Sequence, residues 1–267
     1  MNPVSASVNK GASDQAEDTA TAVLQEEAKR NPDLAEYNAL IRQAWLLRNK
    51  GDRKAAIAKV TEAIQAFPDQ PKAYDTRSIM YHNSKQYPEA LADVTMALKL
   101  EPGNARFHYS RGVTLHEMKR FDEALKAKDE AIRLEPGKAE FHAGKAATLR
   151  DMGRLPEAEK CIDQALRMGP ETAQIRGIRS RILLRQGRIK QAEQDADKAI
   201  ALDPKHSIGY FAKSEVLYEK KQYPKALEQI DKALEIRPDF DIYLEHRRKI
   251  LAAMSPDPNS GAPALTK

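Results

Sequence analysis

Apolar and polar positions along the chain carry two superposed periods. Over short stretches apolar residues recur three and four positions apart, the spacing that puts them on one face of an α-helix. Over longer distances the whole pattern returns every 34 residues, marked by Pro68, Pro102, Pro136, Pro170, Pro204 and Pro238 without an insertion or deletion. Taking each proline as position 32 of a unit sets six units at 37–70, 71–104, 105–138, 139–172, 173–206 and 207–240. Position 8 is then always small (Ala44, Ser78, Gly112, Ala146, Ser180, Ser214), and positions 20 and 27 are alanine in every unit. Position 11 is large: Leu47, Tyr81, Leu115, Leu149, Leu183 and Leu217. Positions 4, 8 and 11 share a face of one helix, and 20, 24 and 27 share a face of a second. Each unit therefore predicts two antiparallel helices that approach closely through small residues.

The punctuation agrees with that division. Gly51, Gly153 and Gly187 mark the turn between the helices, with Lys85, Lys119 and Lys221 at the same place in the other units. Pro88, Pro156 and Pro224 fall at position 18, in the first turn of the second helix, where the missing amide hydrogen has no intrahelical partner to lose. The position-32 proline ends that helix.

The period, the small positions 8, 20 and 27 and the terminal proline together resemble the tetratricopeptide repeat family over Tyr37 to about Met254. The resemblance implies an all-α fold, a right-handed α-solenoid of six tandem 34-residue helix-turn-helix repeats plus a C-terminal capping helix at 241–254. On that last helix Leu244, Arg247 and Leu251 take positions 4, 7 and 11 and are expected to cover the final apolar edge. Upstream, 1–18 reads as a disordered tail and 19–36 as an N-terminal helix or degenerate half-repeat; 255–267, with three prolines, reads as a second disordered tail.

Composition narrows the class. The chain is 41% hydrophobic and 31% charged, with a formal net charge of +5. No run approaches the roughly 18 to 20 apolar residues of a membrane span, and no apolar segment follows a basic one near the N-terminus. The single cysteine, Cys161, cannot form an internal disulfide. A cytoplasmic location is expected. Charge is uneven: residues 1–36 carry three basic and seven acidic side chains, so the repeats are basic, with Arg176, Arg179, Arg181, Arg185 and Arg188 concentrated in unit five.

Catalytic chemistry finds no place in this pattern. There is no phosphate-cradling glycine loop, no nucleophile elbow, and no His-x-x-x-His or Cys-x-x-Cys spacing. The sequence implies neither enzyme activity, nor a cofactor, nor a metal site.

By resemblance, the first helices line a concave groove with positions 2, 5, 9, 12 and 13. The residues there expected to bind a peptide are Trp45, Ile79, His82, Tyr109, Val113, His116, Arg150, Arg181, Arg185 and Phe211. Apolar side chains on that stripe have no helix-pair core to fill, so they can seat a partner's side chains. The expected function is a protein-protein interaction scaffold or adaptor, co-chaperone-like, whose partner segment carries apolar anchors and acidic residues. The alternative is a basic helical-repeat nucleic-acid binder, for which a regular aromatic-plus-basic rhythm is missing. The carboxylate clamp by which some family members hold chaperone C-termini has no counterpart in Ile41, Trp45, Ile79, Tyr109 and Val113.

Two columns depart from the family pattern. Position 7 is cationic in Arg77, Arg111, Lys145, Arg179, Lys213 and Arg247. It faces the second-helix layer, which predicts structural pairs such as Arg77 with Asp93 and Arg179 with Asp195. Position 24, aliphatic elsewhere, is Lys128 in unit three, expected to snorkel to solvent.

Overall fold

The computed structural model describes residues 31–255, so the tail expected over 1–18, the helix expected to begin at 19 and the tail from 256 onward lie outside the described residues. Those described contain thirteen α-helices and no strand. The chain divides into two compact units at Met118. The first holds α1 (Pro32–Asn49), α2 (Arg53–Ala66), α3 (Pro71–Asn83), α4 (Tyr87–Leu100) and α5 (Ala105–Glu117). The second holds α6 (Phe121–Leu134), α7 (Ala139–Asp151), α8 (Leu155–Met168), α9 (Ala173–Arg185), α10 (Ile189–Leu202), α11 (Ser207–Glu219), α12 (Tyr223–Ile236) and α13 (Asp241–Met254). The helices alternate as first and second members of the repeats, giving an all-α helical repeat array.

Small residues set how closely the paired helices approach. The alanines of positions 20 and 27 have no exposed surface at Ala56, Ala63, Ala158, Ala165, Ala226 and Ala233. At position 8 the serines add a polar tie. Ser78, Ser180 and Ser214 donate their hydroxyls to the backbone carbonyls of Ala90, Ala192 and Ala226 at 2.8, 2.7 and 2.7 Å. Each position-8 hydroxyl is thereby satisfied inside the core by the position-20 alanine of its own repeat.

The turns are closed by the backbone. The amides of Asp52, Gln86, Arg154, Arg188 and Gln222 donate to the carbonyls of Leu47, Tyr81, Leu149, Leu183 and Leu217 at 2.9–3.0 Å, the long bond of a Schellman motif. That motif demands a left-handed residue. Gly51, Gly153 and Gly187 have φ of 87°, 76° and 75°, and the lysines in their place adopt the same region, with φ of 61° at Lys85, 59° at Lys119 and 57° at Lys221.

Junctions between repeats have their own fastening. His108 and His142, both at position 4, donate Nε2–H to the carbonyls of Pro102 and Pro136, each at 2.9 Å. The paired histidines thus pin the proline corner to the helix that follows it.

Three expectations are corrected. The boundary expected at Tyr37 falls inside α1, because Asn31 caps that helix by accepting the Leu34 amide at 3.1 Å and nothing interrupts it afterwards. Lys128 does not reach solvent: it is 2% exposed, and its ammonium donates to the Thr148 hydroxyl at 2.6 Å and the Gly144 carbonyl at 3.1 Å. Finally, α13 buries Tyr243 and Ile250, while Leu244 and Leu251 remain exposed. Positions 4 and 11 face a second helix in the other repeats, and no helix follows α13 among the described residues.

Candidate functional site

Position 7 forms a ladder. Arg77 grips Asp93 with Nε and Nη2 at 2.7 and 2.8 Å and reaches back to the Thr61 hydroxyl at 3.0 Å. Arg179 pairs forward with Asp195 at 3.2 Å and lies 3.1 Å from Asp163 behind it. Lys145 meets Asp129 at 2.6 Å, Lys213 meets Asp197 at 2.8 Å, and Arg247 meets Asp231 at 2.7 Å. These backward partners occupy position 25 of the preceding repeat, a column reading Thr61, Thr95, Asp129, Asp163, Asp197 and Asp231, and Lys213 adds Glu193 at position 21. Arg77 and Arg179 therefore tie their first helix to the second helix on either side, while Lys145, Lys213 and Arg247 tie theirs to the second helix before it. The column was visible in the sequence, but a search for partners within the same repeat misses it.

In the first unit, the residues expected at the peptide site sit on α1, α3 and α5. Trp45 is half-buried against the core of this unit, with the Arg48 guanidinium 4.9 Å above its ring. Ile79, Tyr109, Val113 and His116 are half-buried on the stripe opposite the paired second helices, and His82 meets Tyr87 edge-on at 5.4 Å. Asp75, at position 5 beside them, is 6% exposed and ion-paired to Arg106 at 3.6 Å. Burial raises its pKa above the ordinary aspartate value, opposed by a hydrogen bond from Ser110 and the charge of Arg106. Arg48, Lys72 and Arg106 are exposed cations on this surface.

The second unit is different: of its four expected site residues Phe211 and Arg150 are buried, and Arg181 is half-buried and ion-paired. Phe211 is 2% exposed because α13 packs over it: its ring lies 4.6 Å from that of Tyr243 and beneath the Arg181 guanidinium, also at 4.6 Å. Arg181 is held by Glu215 at 2.6 and 3.3 Å. Burial works against its charge, but Glu215 and Asp151 together with Tyr243 outweigh this and its pKa is raised. Arg150 is 4% exposed and clasped by Asp151 at 2.8 and 3.0 Å. Burial, with the neighbouring charge of Arg181, holds its pKa below the usual arginine value. These arginines spend their hydrogen bonds inside the molecule, and only Arg185 remains exposed.

The unit-five arginine cluster is largely neutralised as well. Arg176 donates to Asp195 at 2.6 Å and to Glu171, and Arg188 donates to Glu159. What reads in sequence as a basic patch is in good part a set of internal ion pairs.

A family profile described as tetratricopeptide repeat matches residues 83–139, 144–207 and 179–239. The chain belongs to the tetratricopeptide repeat family. No curated protein matches it. Among solved structures, a tetratricopeptide repeat protein of Parabacteroides merdae superposes with a TM-score of 0.72 at 17% identity, covering 91% of this chain and 94% of that one. The APC/C hetero-tetramer Cut9-Hcn1 superposes at 0.68 and 12% identity, over 86% of this chain and 45% of that one. PilF of Pseudomonas aeruginosa superposes at 0.60 and 16% identity, over 82% and 100%. Identities this low speak to fold alone. Tetratricopeptide repeat proteins are generally protein-protein interaction scaffolds, and the fold is typically non-catalytic. Among the described residues no helix is long and apolar enough to cross a membrane, and no group of three or more His, Cys, Asp or Glu side chains is placed to hold a metal ion.

Proposed function

We propose that this tetratricopeptide repeat protein is a cytoplasmic adaptor, co-chaperone-like in role, that seats a segment of a partner protein on the first-helix surface of its first unit. Ile79, Tyr109 and Val113 take apolar side chains of that segment. Arg48 and Arg106 meet its acidic residues, and Trp45, His82 and His116 flank them. The observation that carries this reading is the contrast between the units: the groove positions of α1, α3 and α5 keep apolar side chains at the surface, whereas Arg150, Arg181 and Phe211 on α7, α9 and α11 are closed off by internal ion pairs and by α13. Apolar surface without a core to fill favours association. No cofactor or catalytic step enters this reading.

The test is capture from native lysate at low and high salt, comparing the wild type with a folded Ile79→Glu/Val113→Glu variant. A partner protein held by the wild type at high salt and lost from the variant supports the scaffold. Nucleic acid that is captured at low salt, released by salt and indifferent to the substitutions overturns it in favour of basic-surface binding.

A further inference from the structure

We propose a second docking site, a cleft at the repeat junctions of the second unit that takes an aliphatic side chain of a partner segment flanked by lysine or arginine. A cavity of about 620 Å³ opens there, between the starts of α7 and α9 and the ends of α8 and α10. That size suits a few side chains of a bound ligand.

The cleft has a cause in the sequence. At the junctions after α2, α4, α6, α10 and α12, the residue following the helix donates its amide to the position-27 alanine carbonyl at 2.9–3.2 Å. After α8 that residue is Gly169, which is extended (φ −157°, ψ −176°) and makes no such bond. The junction is thus left untucked, and the cavity lies along it.

Its lining names the ligand. Met168 and Leu202, at the ends of α8 and α10, are 37% and 47% exposed, two of the few large apolar side chains left in solvent. Ala139 and Ala143 line the wall behind. The charged lining is Glu140, Glu171, Asp203 and Lys138. Glu171 is paired with Arg176, and Lys138 lies 3.6 Å from Glu135. Glu140 is exposed, and so is Asp203, whose carboxylate accepts the nearby Lys205 amide. His206, whose Nδ1 accepts the Ile208 amide, has its pKa pushed down by burial and adds no positive charge near neutral pH. The rim is therefore acidic on a chain whose net charge is +5. That local inversion selects a basic ligand and repels the acidic segment proposed for the first unit. The cleft stands independently of that proposal.

Selection of random twelve-residue peptides on the immobilised full chain tests it, followed by affinity measurement with labelled winners. Expected is a consensus of leucine or methionine beside lysine or arginine. Such peptides should bind at least about tenfold more weakly to the Glu140→Lys/Asp203→Lys and Met168→Ser/Leu202→Ser variants, and unchanged to Ile79→Glu/Val113→Glu. All four junction substitutions are at exposed positions, so folding is checked by circular dichroism alongside. Acidic winners, winners lost only from the Ile79→Glu/Val113→Glu variant, winners indifferent to every substitution, or no enrichment at all would each overturn the cleft as a docking site. Loss confined to the first-unit variant would instead support the groove.

Discussion

At the scale of single residues, the repeat is governed by what has room for a side chain. Gly209, at position 3 of the sixth repeat, faces backbone: a Cβ placed there would lie 2.8 Å from the Ile200 amide nitrogen and 3.1 Å from the Ala199 carbonyl carbon. Backbone cannot swing aside as a side chain can, so Gly209→Ala forces α11 away from α10. We expect a loss of about 2 kcal/mol, read by chemical denaturation. Gly103, in a turn with nothing within 4 Å of the added carbon and no positive φ, is the matched control. Gly103→Ala should be neutral or stabilising by up to about 1 kcal/mol, since alanine reduces unfolded-state entropy without a clash. Equal losses at the two sites would contradict this. The same scale explains why Lys128 is buried where the sequence predicts exposure: its counterparts at position 24 are aliphatic, but Gly144 and Thr148 on the adjoining helix offer a carbonyl and a hydroxyl inside the core. Nothing in a column of one lysine among aliphatics reveals those acceptors.

Helices and turns behave as elements because each boundary is satisfied locally. The Schellman turn requires a left-handed residue in every repeat, and lysine supplies it at three positions against its steric preference. Lys221→Gly should therefore stabilise the second unit by about 0.5–1 kcal/mol, raising the denaturation midpoint with an unchanged m-value. The reverse change, Gly187→Lys, should cost a similar amount. A midpoint that falls on Lys221→Gly would show that the lysine's side chain matters more than its backbone. These turns, the position-18 prolines and the small-residue faces are legible in the sequence, because each depends on residues close along the chain. The start of α1 is not, since the junction-like Asn31-Pro32-Asp33 serves there as a cap and first turn instead of a break.

On the scale of the whole molecule, stability in a repeat array is the sum of what each repeat contributes and what each contact with its neighbour adds. The position-7 ladder contributes to both, with Arg77–Asp93 inside one repeat and Lys213–Asp197 between two. Its rungs differ in burial: Arg77 and Asp93 side chains are 17% and 9% exposed, whereas Asp197 opposite Lys213 is 57% exposed. Removing one partner of a shielded pair leaves an uncompensated charge, so Asp93→Ala should cost about 3 kcal/mol. Asp197→Ala, facing water, should cost less than about 0.5 kcal/mol. Thermal unfolding of the two variants at low and high salt checks this. Comparable losses, or strong salt sensitivity of the Asp93 effect, would mean that burial does not set the strength of the rungs. The candidate surface also belongs to this scale, because whether a groove position is open depends on which neighbour packs against it.

The sequence by itself determined the helix-pair repeat, its 34-residue register, the turn and junction residues and the family. All of these follow from periodic spacing and local backbone preference, which one strand of text records in full. Only the tertiary structure decided which groove residues are available. Arg150, Arg181 and Phe211 share their columns with Trp45, Ile79 and Val113 or their near neighbours, yet Asp151, Glu215 and α13 consume them. Likewise the cleft at Gly169 depends on side chains from three junctions that lie about 34 residues apart in the chain. Pairing and burial join residues distant in sequence, and periodicity gives every copy of a column the same reading even where the neighbours differ.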